Sequence, residues 1–546
     1  MKKFTLLILT VFLAFTTKAE ELPLNFTVTT SKAENNKYYF TLVASKPDTK
    51  VEIDWGNGTK VESEVLDMLY GTDVASNIPA DLLSKEVTIK VYGQHIASIT
   101  CSNKNLTGMA FSFPEEIKEL IVGNNQLGNF DVSALSNLES LDLSSNNASN
   151  LNLSANTSLK KLILSSNTFA SLDVSKNTNL TDLTLSSCGL ESLDLTANVN
   201  LNSLIISNNT IDMIDLISKV SPTLSTLTAV NCGLTQIDLS RLTNLSSLNL
   251  GTNNLATIDL SKNTKLVTFL MGAPTVKSLD LSAATAIKSV TANGTASKRA
   301  ALESIALPAT GTAVDMSINV SYNQLSSIDI SGLKVKTLNI AGNKFALSAI
   351  PNKQTAMGTT ASRYVYHPQD AMAIPGEIMA GSVVDLSTET NLLGDKALDP
   401  GATGVATTFV WKKEDGTALT AGTDYTETEK GKFTFASSLI GEKVYCTLSS
   451  DAFPKLSGAN EFVTTKTTIA NPTSINEEKA DATKVIGVNN GVLILHAPIH
   501  ANVSFYSIAG TLIKSLSVNN DSEYVALPKG VYVVKTNNKA TKVIVK

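Results

Sequence analysis

The chain contains 546 residues, which at about 150 residues per domain predicts three or four domains. Apolar residues make up 43% of the sequence and charged residues only 17%, so the chain can bury a core and is not intrinsically disordered. The net charge is -5, and no basic run follows Met1-Lys2-Lys3. Both observations argue against nucleic-acid binding, because phosphate recognition requires clustered Lys and Arg.

Residues 1–19 have the organisation of a secretory signal peptide. Lys2 and Lys3 form a positive segment, and an apolar stretch follows at 4–15. Small residues at Thr17 and Ala19 predict cleavage after Ala19. The apolar stretch has about 12 residues, too few for the roughly 20 that a membrane-spanning helix requires. We therefore expect an exported protein without a membrane span.

Residues 20–94 carry the pattern of a small β domain. The segment Val51–Gly58 is a predicted strand that runs into an Asn-Gly turn. The letters IDWGNG within this segment resemble the strand-turn element of polycystic-kidney-disease-type β-sandwich modules. Because the end of a repeat array exposes apolar surface, we interpret residues 20–94 as a β-sandwich-like N-terminal cap for the repeats that follow.

From residue 95 the sequence repeats with a period of 21 residues. A longer insertion, at about 295–312, precedes two further repeats near Asp315 and Val335, so the array contains about twelve coils. The apolar residue that opens each earlier repeat keeps its phase, apart from a two-residue insertion after the sixth, at Ile96, Ile117, Leu138, Leu159, Leu180, Leu201, Leu224, Leu245, Leu266 and Ile287.

One repeat shows why the array folds as a solenoid. The unit that begins at Leu159 reads LKKLILSSNTFASLDV, and its L-x-L alternation points Leu162 and Leu164 to the same face of a strand. One coil cannot bury these leucines alone, so stacked coils share a core and form a parallel sheet. The consensus LxxLxLxxNxLxxLDLSxN resembles leucine-rich repeats, and its 21-residue length resembles bacterial internalin-type proteins. The resemblance implies a mostly β protein with a leucine-rich-repeat solenoid at 95–352, flanked by small β-sandwich domains.

A column of Asn residues follows the predicted strands, where the backbone turns inward and loses its sheet partners. An Asn side chain carries two donors and an acceptor that can replace those partners, so we expect a buried ladder. Cys188 and Cys232 occupy the same column, whereas Lys104 and Pro274 interrupt it and predict irregular coils. We name the Asn members the Asn column: Asn125, Asn146, Asn167, Asn209, Asn253, Asn323 and Asn343.

The four cysteines are predicted to be free thiols rather than two disulfides. Cys188 and Cys232 lie two coils apart, which at about 4.8 Å per coil separates their Cα atoms by about 10 Å. A disulfide requires a Cα separation below about 7 Å. Internalin-type proteins also use Cys in this column, in keeping with the resemblance.

A second column consists of Asp residues, most of which lie within L-D-L-S segments. Carboxylates about 5 Å apart repel one another, and the column therefore raises the alternative of a Ca²⁺ site. We favour a metal-free arrangement, in which each Asp faces solvent from a short second strand and accepts hydrogen bonds from local hydroxyl or backbone groups. This Asp column comprises Asp131, Asp173, Asp194, Asp215, Asp238, Asp259, Asp280 and Asp329.

The concave face of the predicted sheet is the candidate binding surface, because its outward positions can vary without disturbing the core. Aromatic residues and Arg, which dominate protein interfaces, are nearly absent there. The aliphatic members are the best anchors it offers, although they are also compatible with ordinary strand-surface residues. The candidate contact residues are four aliphatic side chains and three polar neighbours: Ile121, Ile163, Ile205, Leu270, Asp142, Thr184 and Asn249.

A cap and linker at 353–374 precedes a further domain at 375–470. Within that domain, Trp411 and Cys446 match the core Trp and the second Cys of immunoglobulin-like sandwiches, which the segment resembles. The partner Cys of that family is missing, so no disulfide is inferred.

The C-terminal region begins with a polar linker at 471–484. Residues 485–546 closely resemble the C-terminal sorting domain of type IX (Por) secretion cargo. The resemblance rests on YSIAG at 506–510, LPKGVYVV at 527–534 and the terminal KVIVK at 542–546. It implies export through an outer membrane, followed by surface attachment or release.

The sequence contains no motif of a known catalytic type. It lacks G-x-S-x-G, H-E-x-x-H, a Walker-type loop and C-x-x-C. His496 and His500 have the spacing of a helical metal pair, but Pro498 between them disfavours a helix. We predict no enzymatic activity, no cofactor and no metal site.

The sequence therefore favours a non-catalytic, exported protein of the cell surface (outer membrane) or the extracellular space. Its repeats are expected to mediate protein–protein binding or adhesion, with a protein of a host or neighbouring cell surface as the ligand. Two alternatives stay open: a glycan-binding module, which the Ser-, Thr- and Asn-rich face would suit, and a structural spacer without a ligand. We expect a monomer that binds no nucleic acid.

Export predicts a processed N-terminus. N-terminal sequencing and intact-mass measurement of the native protein should show a mature chain that begins near Glu20, because signal peptidase cleaves after small residues. An Ala19→Arg variant should accumulate unprocessed. A secreted chain that retains Met1 would contradict the assignment.

Overall fold

The computed structural model describes a mostly β protein, as the sequence predicts. It divides into two compact units, Met1–Met372 with Thr388–Phe409 and Thr447–Val463, and Ala373–Ser387 with Val410–Cys446 and Thr464–Lys546. The predicted signal peptide lies outside the described residues. The described residues are 21–31, 37–65, 72–77, 85–309, 315–374, 376–399, 403–471, 484–489, 492–496, 502–507, 511–517, 522–528, 530–535 and 540–545.

The N-terminal part is a small antiparallel sheet of order β4-β3-β6-β1-β8. Strand β8 belongs to it, although its residues fall within the range 95–352. Strands β2 and β5 instead extend the solenoid sheet, because β2 pairs antiparallel with β7 and β5 pairs antiparallel with β2. The bounds are β1 (Leu24–Thr30), β2 (Lys37–Ala44), β3 (Thr49–Asp54), β4 (Lys60–Val65), β5 (Thr72–Asn77), β6 (Val87–Gly93), β7 (Ile96–Thr100) and β8 (Leu106–Phe111).

The IDWGNG segment forms the tight turn after β3. Asp54 Oδ1 accepts hydrogen bonds from the backbone N–H groups of Gly56 (3.0 Å) and Gly58 (2.8 Å), and both glycines have positive φ. Trp55 is buried and stacks on Phe40, with ring centroids 5.6 Å apart and planes at 6°. The turn thereby directs a large aromatic side chain into the core of this domain.

Short parallel strands, each 20 to 28 residues after the last in register, build the solenoid. Twelve of them, β7, β9 to β16, β18, β20 and β21, lie in register in one sheet, which confirms the coil count. A final strand, β22, covers the end by pairing with β21. The bounds are β9 (Glu119–Ile121), β10 (Ser140–Asp142), β11 (Lys161–Ile163), β12 (Asp182–Thr184), β13 (Ser203–Ile205), α1 (Met213–Lys219), β14 (Thr226–Thr228), β15 (Ser247–Asn249), β16 (Thr268–Leu270), β17 (Ser278–Asp280), β18 (Ser289–Thr291), β19 (Ser304–Ala306), β20 (Met316–Asn319), β21 (Val335–Asn339) and β22 (Tyr364–Val365).

The Asn column forms the predicted ladder, and all seven members are buried. Asn167 Nδ2 donates to the carbonyl oxygens of Leu143 (2.9 Å) and Leu164 (2.8 Å). Its Oδ1 accepts from the backbone N–H groups of Asn146 (3.1 Å) and Ala148 (2.9 Å). One side chain therefore satisfies four backbone groups and ties its coil to the preceding one.

The structure shows two regular features of the coils that the sequence analysis does not predict. The residue before each Asn of the column adopts a left-handed φ, for example Ser166 at 59°. A second buried ladder comes from the last Asn of the consensus, at Asn156, Asn177, Asn198 and Asn263. Asn177 Nδ2 donates to the carbonyl oxygens of Leu153 (3.1 Å) and Asn156 (2.8 Å), so this ladder secures the opposite side of each coil.

The predicted place of Asp215 in the Asp column is wrong. Asp215 lies in α1, where the two-residue insertion lengthens the coil enough for a helical turn. Asp212 caps this helix by accepting hydrogen bonds from the N–H groups of Ile214 and Asp215. The Asp215 carboxylate pairs with Lys219 at 2.8 Å.

The predicted second strand of each coil is also largely absent from the described coils, where only β17 and β19 pair in this way. In the L-D-L-S segments the N–H group two residues after the Asp donates to the Asp side chain, as Ser175 does to Asp173 at 2.9 Å. The same bond is present at Asp280 in β17, so it does not by itself prevent strand pairing.

The interruptions of the Asn column do not break the sheet. Parallel pairing continues from β7 to β9 and from β16 to β18. Lys104 turns its side chain outward over the ring of Tyr39, 3.6 Å from the centroid, while its N–H donates to Asn125. Pro274 is buried within its coil.

All four cysteines are free, as predicted. Cys188 Sγ donates to the Leu164 carbonyl oxygen at 3.2 Å, and Cys232 Sγ lies 3.5 Å from the Ile206 carbonyl oxygen. Burial raises the pKa of the Cys188 thiol to about 11 and that of Cys101 to about 12. These thiols act as ladder or core groups and not as nucleophiles at neutral pH.

Within the first unit, segments that follow residue 387 cover the C-terminal end of the solenoid. The buried Glu389 carboxylate accepts hydrogen bonds from the N–H (2.7 Å) and the hydroxyl (2.6 Å) of Ser348. The hydroxyl of Tyr366 donates to Asp395 at 2.9 Å. These contacts protect the last apolar coil from water.

In the second unit, β23, β28 and β27 form an antiparallel sheet. The ring of Trp411 is fully buried and meets Phe435 edge to face at 4.7 Å, so it occupies a core position as the resemblance implies. The strand bounds from 383 to 468 are β23 (Val383–Asp385), β24 (Asn391–Leu392), β25 (Val405–Ala406), β26 (Thr408–Lys413), β27 (Tyr425–Glu429), β28 (Lys432–Phe435), β29 (Lys443–Ser449), β30 (Phe462–Val463) and β31 (Thr467–Thr468).

The C-terminal strands form two antiparallel sheets, β32-β33-β36 and β35-β34-β37-β38. Phe505 and Val503 lie in their buried core. His496 ends β33, whereas His500 lies outside the described residues. The bounds are β32 (Lys484–Asn489), β33 (Val492–His496), β34 (Asn502–Ser507), β35 (Leu512–Ser517), β36 (Ser522–Ala526), β37 (Gly530–Lys535) and β38 (Ala540–Val545).

The Asn ladder predicts a graded response to substitution at position 167. Asn167→Ala should lower the free energy of unfolding by roughly 2–4 kcal/mol, because buried backbone groups lose their partners. Asn167→Cys should cost clearly less, because Cys188 shows that an Sγ–H donor is tolerated in this column. Urea denaturation measures both variants. Equal losses would show that side-chain hydrogen bonding is not what the column provides.

Candidate functional site

Each solenoid strand buries its middle residue and turns the residues on either side of it outward. In β11, for example, Leu162 is fully buried, whereas Lys161 and Ile163 are not. The last residue of successive strands therefore forms one continuous line, which we name the central column. Its members are Thr100, Ile121, Asp142, Ile163, Thr184, Ile205, Thr228, Asn249, Leu270, Thr291, Asn319 and Asn339.

All seven candidate contact residues lie in the central column, and strand pairing makes them neighbours. Asp142 is registered between Ile121 and Ile163, and Thr184 is registered between Ile163 and Ile205. At about 4.8 Å per strand, the three isoleucines recur at about 10 Å. The line thus alternates aliphatic and polar side chains over five coils.

The aliphatic members of the central column are half-buried, whereas their outward positions in the sequence predict full exposure. Each side chain is flanked by the central-column residues of the two adjacent strands, which are about 4.8 Å away and so within reach of van der Waals contact. This packing restricts their rotamers before any ligand arrives, which reduces the entropy lost on binding.

The polar members are held by local hydrogen bonds that the sequence did not reveal. Asp142 Oδ1 accepts from the N–H (2.9 Å) and hydroxyl (2.6 Å) of Ser144. Asn249 Oδ1 accepts from the N–H of Gly251 at 3.1 Å. One oxygen of each side chain is therefore engaged in its own turn, which orients the remaining oxygen of Asp142 and the amide N–H₂ of Asn249.

A charged row flanks the first coils of the sheet, and the sequence analysis did not single it out. Glu139 pairs with Lys160 at 2.6 Å and with Lys118 at 3.7 Å. The hydrogen bond from Lys160 holds the pKa of the Glu139 carboxyl below its usual range. On the adjacent outward position, Glu119 accepts from the hydroxyl of Ser98 at 2.7 Å. Both signs of charge thus lie beside Ile121 and Asp142.

The Asp column faces solvent without a metal-like cluster. Among the described residues, no group of three or more His, Cys, Asp or Glu side chains is placed to hold a metal ion. In seven coils the Asp accepts a hydrogen bond from the N–H two residues later, and this bond lowers the pKa of the carboxyl. The seven are Asp131, Asp173, Asp194, Asp238, Asp259, Asp280 and Asp329.

In the part of the chain that the structure describes, no helix combines the length and apolar character needed to cross a bilayer.

The register of its strands and its 21-residue coils make the central domain a leucine-rich-repeat solenoid. No family model matches the chain, and no curated protein does. Among solved structures it is similar to the functional domain of InlJ from Listeria monocytogenes, which includes a cysteine ladder, at 18% identity over 70% of this chain and 92% of that one (TM-score 0.36). It is also similar to a leucine-rich-repeat protein of Leptospira interrogans at 16% identity over 43% and 75% (TM-score 0.32). A TDR receptor matches at 17% identity over 52% and 56% (TM-score 0.37).

The Asp column predicts acid sensitivity without calcium dependence. A carboxyl whose pKa is lowered in the folded state stabilises the fold at neutral pH, and this contribution is lost as pH falls through the folded pKa, below about pH 4. The melting temperature should therefore fall between pH 5 and pH 3, and EDTA at pH 7 should leave it unchanged.

An Asp173→Asn/Asp194→Asn/Asp259→Asn variant is the matched control, because an amide oxygen accepts the same turn hydrogen bond, as Asn152 does from Ser154. Its melting temperature should depend less on pH over this range, while its value at pH 7 changes little. A large destabilisation of the parent protein by EDTA would instead place a cation in the column.

Proposed function

We propose that this chain is an exported, non-catalytic surface protein whose solenoid binds a protein ligand through the central column. The observation that carries the proposal is the unbroken register that holds Ile121, Ile163 and Ile205 outside the core on one face. Aliphatic side chains kept in this position contribute nothing to the leucine core, and their burial would favour association by roughly 25 cal/mol per Å² of apolar surface removed from water.

The sheet supplies the rigidity that such a face requires. Its strands pair in register, and the Asn column satisfies the backbone where the strands end. A ligand therefore meets side chains whose relative positions are set before binding, so less of the interaction energy is spent on ordering them.

The flanking charges favour a protein over a purely apolar ligand. Lys118, Glu139 and Lys160 alternate in sign along the edge of the aliphatic segment, and Asp142 lies within it. Alternating charge selects partners with the complementary pattern and excludes those with like charges at the same positions. A protein surface provides both apolar contacts and paired charges at this spacing.

Export and surface location rest on the two ends of the sequence. Residues 1–19 have signal-peptide organisation, and residues 485–546 resemble a type IX sorting domain. These features support a location at the outer membrane or in the medium and a ligand on a host or neighbouring cell. We propose that the chain acts there as a monomer.

A triple substitution tests the central column. Ile121→Lys/Ile163→Lys/Ile205→Lys in the mature chain 20–546 should keep the parent melting temperature within a few degrees, because the three side chains lie outside the core. The affinity of the fluorescently labelled variant for cultured epithelial cells, measured by flow cytometry, should be at least about 100-fold lower than that of the parent protein. The reason is that the centre of an interface excludes unpaired charge. Trypsin treatment of the cells should abolish binding of the parent protein.

Val199→Lys/Ile214→Lys is the matched control, since these aliphatics are 59% and 53% exposed and lie outside the strands of the sheet. This variant should bind as the parent does. A folded triple variant with unchanged cell binding would place the protein site elsewhere, and binding that survives trypsin would reject a protein ligand.

A further inference from the structure

The chemistry of the central column changes after Leu270. Its last three members, Thr291, Asn319 and Asn339, are polar and lie on adjacent strands in register. The strands β20 and β21 carry the two amides side by side, at about 4.8 Å. No aliphatic anchor is available on this part of the line.

Both amides are oriented as donors. Asn319 Oδ1 accepts from the N–H (3.3 Å) and hydroxyl (2.9 Å) of Ser321, and Asn339 Oδ1 accepts from the N–H of Ala341 (3.2 Å). The carbonyl oxygen of each side chain is therefore engaged in its own turn. Each Nδ2 group has no partner among the described residues, so two neighbouring N–H₂ groups are left to hydrogen-bond a ligand.

An aromatic side chain follows Asn319 by three residues, at an unusual backbone position. Tyr322 has φ 55°, in the column of left-handed residues that other coils fill with small side chains such as Asn208, Ser166 or Ala273. A left-handed φ is unfavourable for a bulky residue. The ring lies directly over Gly342, where a Cβ atom would collide with it. The next coil is thus shaped to accept this ring.

A paired arginine completes the cluster. The Arg299 guanidinium donates to the carbonyl oxygen of Gly342 at 2.6 Å and forms an ion pair with Asp370. Its charge is therefore balanced locally, and two of its five N–H groups are engaged. Asp370 thus neutralises the one charged member of the cluster, so the cluster offers polar donors and no net charge that would attract an anionic ligand.

We propose that Asn319, Asn339, Tyr322 and Arg299 form a binding site for a neutral oligosaccharide. A sugar ring has an apolar face of C–H groups, which packs on an aromatic ring, and a rim of hydroxyl and ring oxygens, which accept hydrogen bonds from amide and guanidinium N–H groups. Residues 319 and 322 are at most about 11 Å apart along the chain, so a ligand of two or three sugar rings is long enough to reach both. The site is separate from the aliphatic segment and does not depend on the protein ligand proposed above.

The test uses the mature chain 20–546 on an array of neutral and acidic oligosaccharides, followed by calorimetric titration with the neutral hexasaccharide that gives the strongest signal. Tyr322→Asn removes the ring but keeps a residue that other coils tolerate with the same φ. It should weaken binding at least about tenfold, whereas Tyr322→Phe should stay within about threefold of the parent.

Asn319→Asp/Asn339→Asp provides a second, independent variant. An Asp oxygen can accept the same turn hydrogen bonds, as Asp142 does, but the two N–H₂ donors are lost. This variant should also lose at least about tenfold in affinity at an unchanged melting temperature. The Ile121→Lys/Ile163→Lys/Ile205→Lys variant should bind the hexasaccharide as the parent does, which separates this site from the protein site.

The proposal is overturned if no neutral oligosaccharide binds, if only acidic ones bind, or if the folded Tyr322→Asn variant binds with unchanged affinity. Loss of sugar binding in the isoleucine variant would also overturn it, because the sugar would then occupy the aliphatic segment.

Discussion

Where each strand of the solenoid ends, the backbone leaves the sheet inside a packed coil, and its buried N–H and C=O groups need new hydrogen-bond partners. The Asn column meets this constraint with side-chain amides that act as donor and acceptor at once. The donors reach carbonyl groups 24 residues earlier in the sequence, as Asn167, Asn209 and Asn253 do. Local turning and coil-to-coil cohesion therefore depend on the same hydrogen bonds, and a Cys can enter the column because its thiol still donates.

The outward positions of the strands are not needed to hold the coils together, so they are free to carry function. The leucines and the two Asn ladders fix each coil, so the central column can change its chemistry along the sheet without cost to the core. It is aliphatic and flanked by charges over the first coils and becomes an array of amide donors towards the C-terminal end. One scaffold thus presents two surfaces of different chemistry, one with aliphatic side chains and one with amide donors.

Much of the solenoid could be predicted from the sequence, because its leucines recur with the period of the coils. The number of coils, the Asn column, the free thiols and the alignment of the seven candidate residues all follow from that period. The helix α1 was missed because the repeat pattern assigned Asp215 a place in the Asp column, whereas Asp212 caps a helical turn there. The insertion of two residues was the available signal.

The rest of the candidate site depends on contacts between coils, which a period does not encode. The half-burial of Ile163 comes from neighbouring strands, and the pairing of Glu139 with Lys160 joins residues 21 positions apart. The match between Tyr322 and Gly342 likewise requires two successive coils to be considered together. Tyr322 lies beyond the end of β20, so it is not among the outward strand positions that the repeat pattern identifies.

The hydrogen bonds that join successive coils also determine how the solenoid would respond to tension. Each coil is clamped to the one before it by its own ladder residue and by strand pairing, so a pull on one terminus loads the terminal coil before its neighbours. Release of one 21-residue coil adds about 70 Å of extended chain. Under a steady pull the solenoid would therefore lengthen in discrete steps, and each released coil would lower the tension on the coils that remain folded.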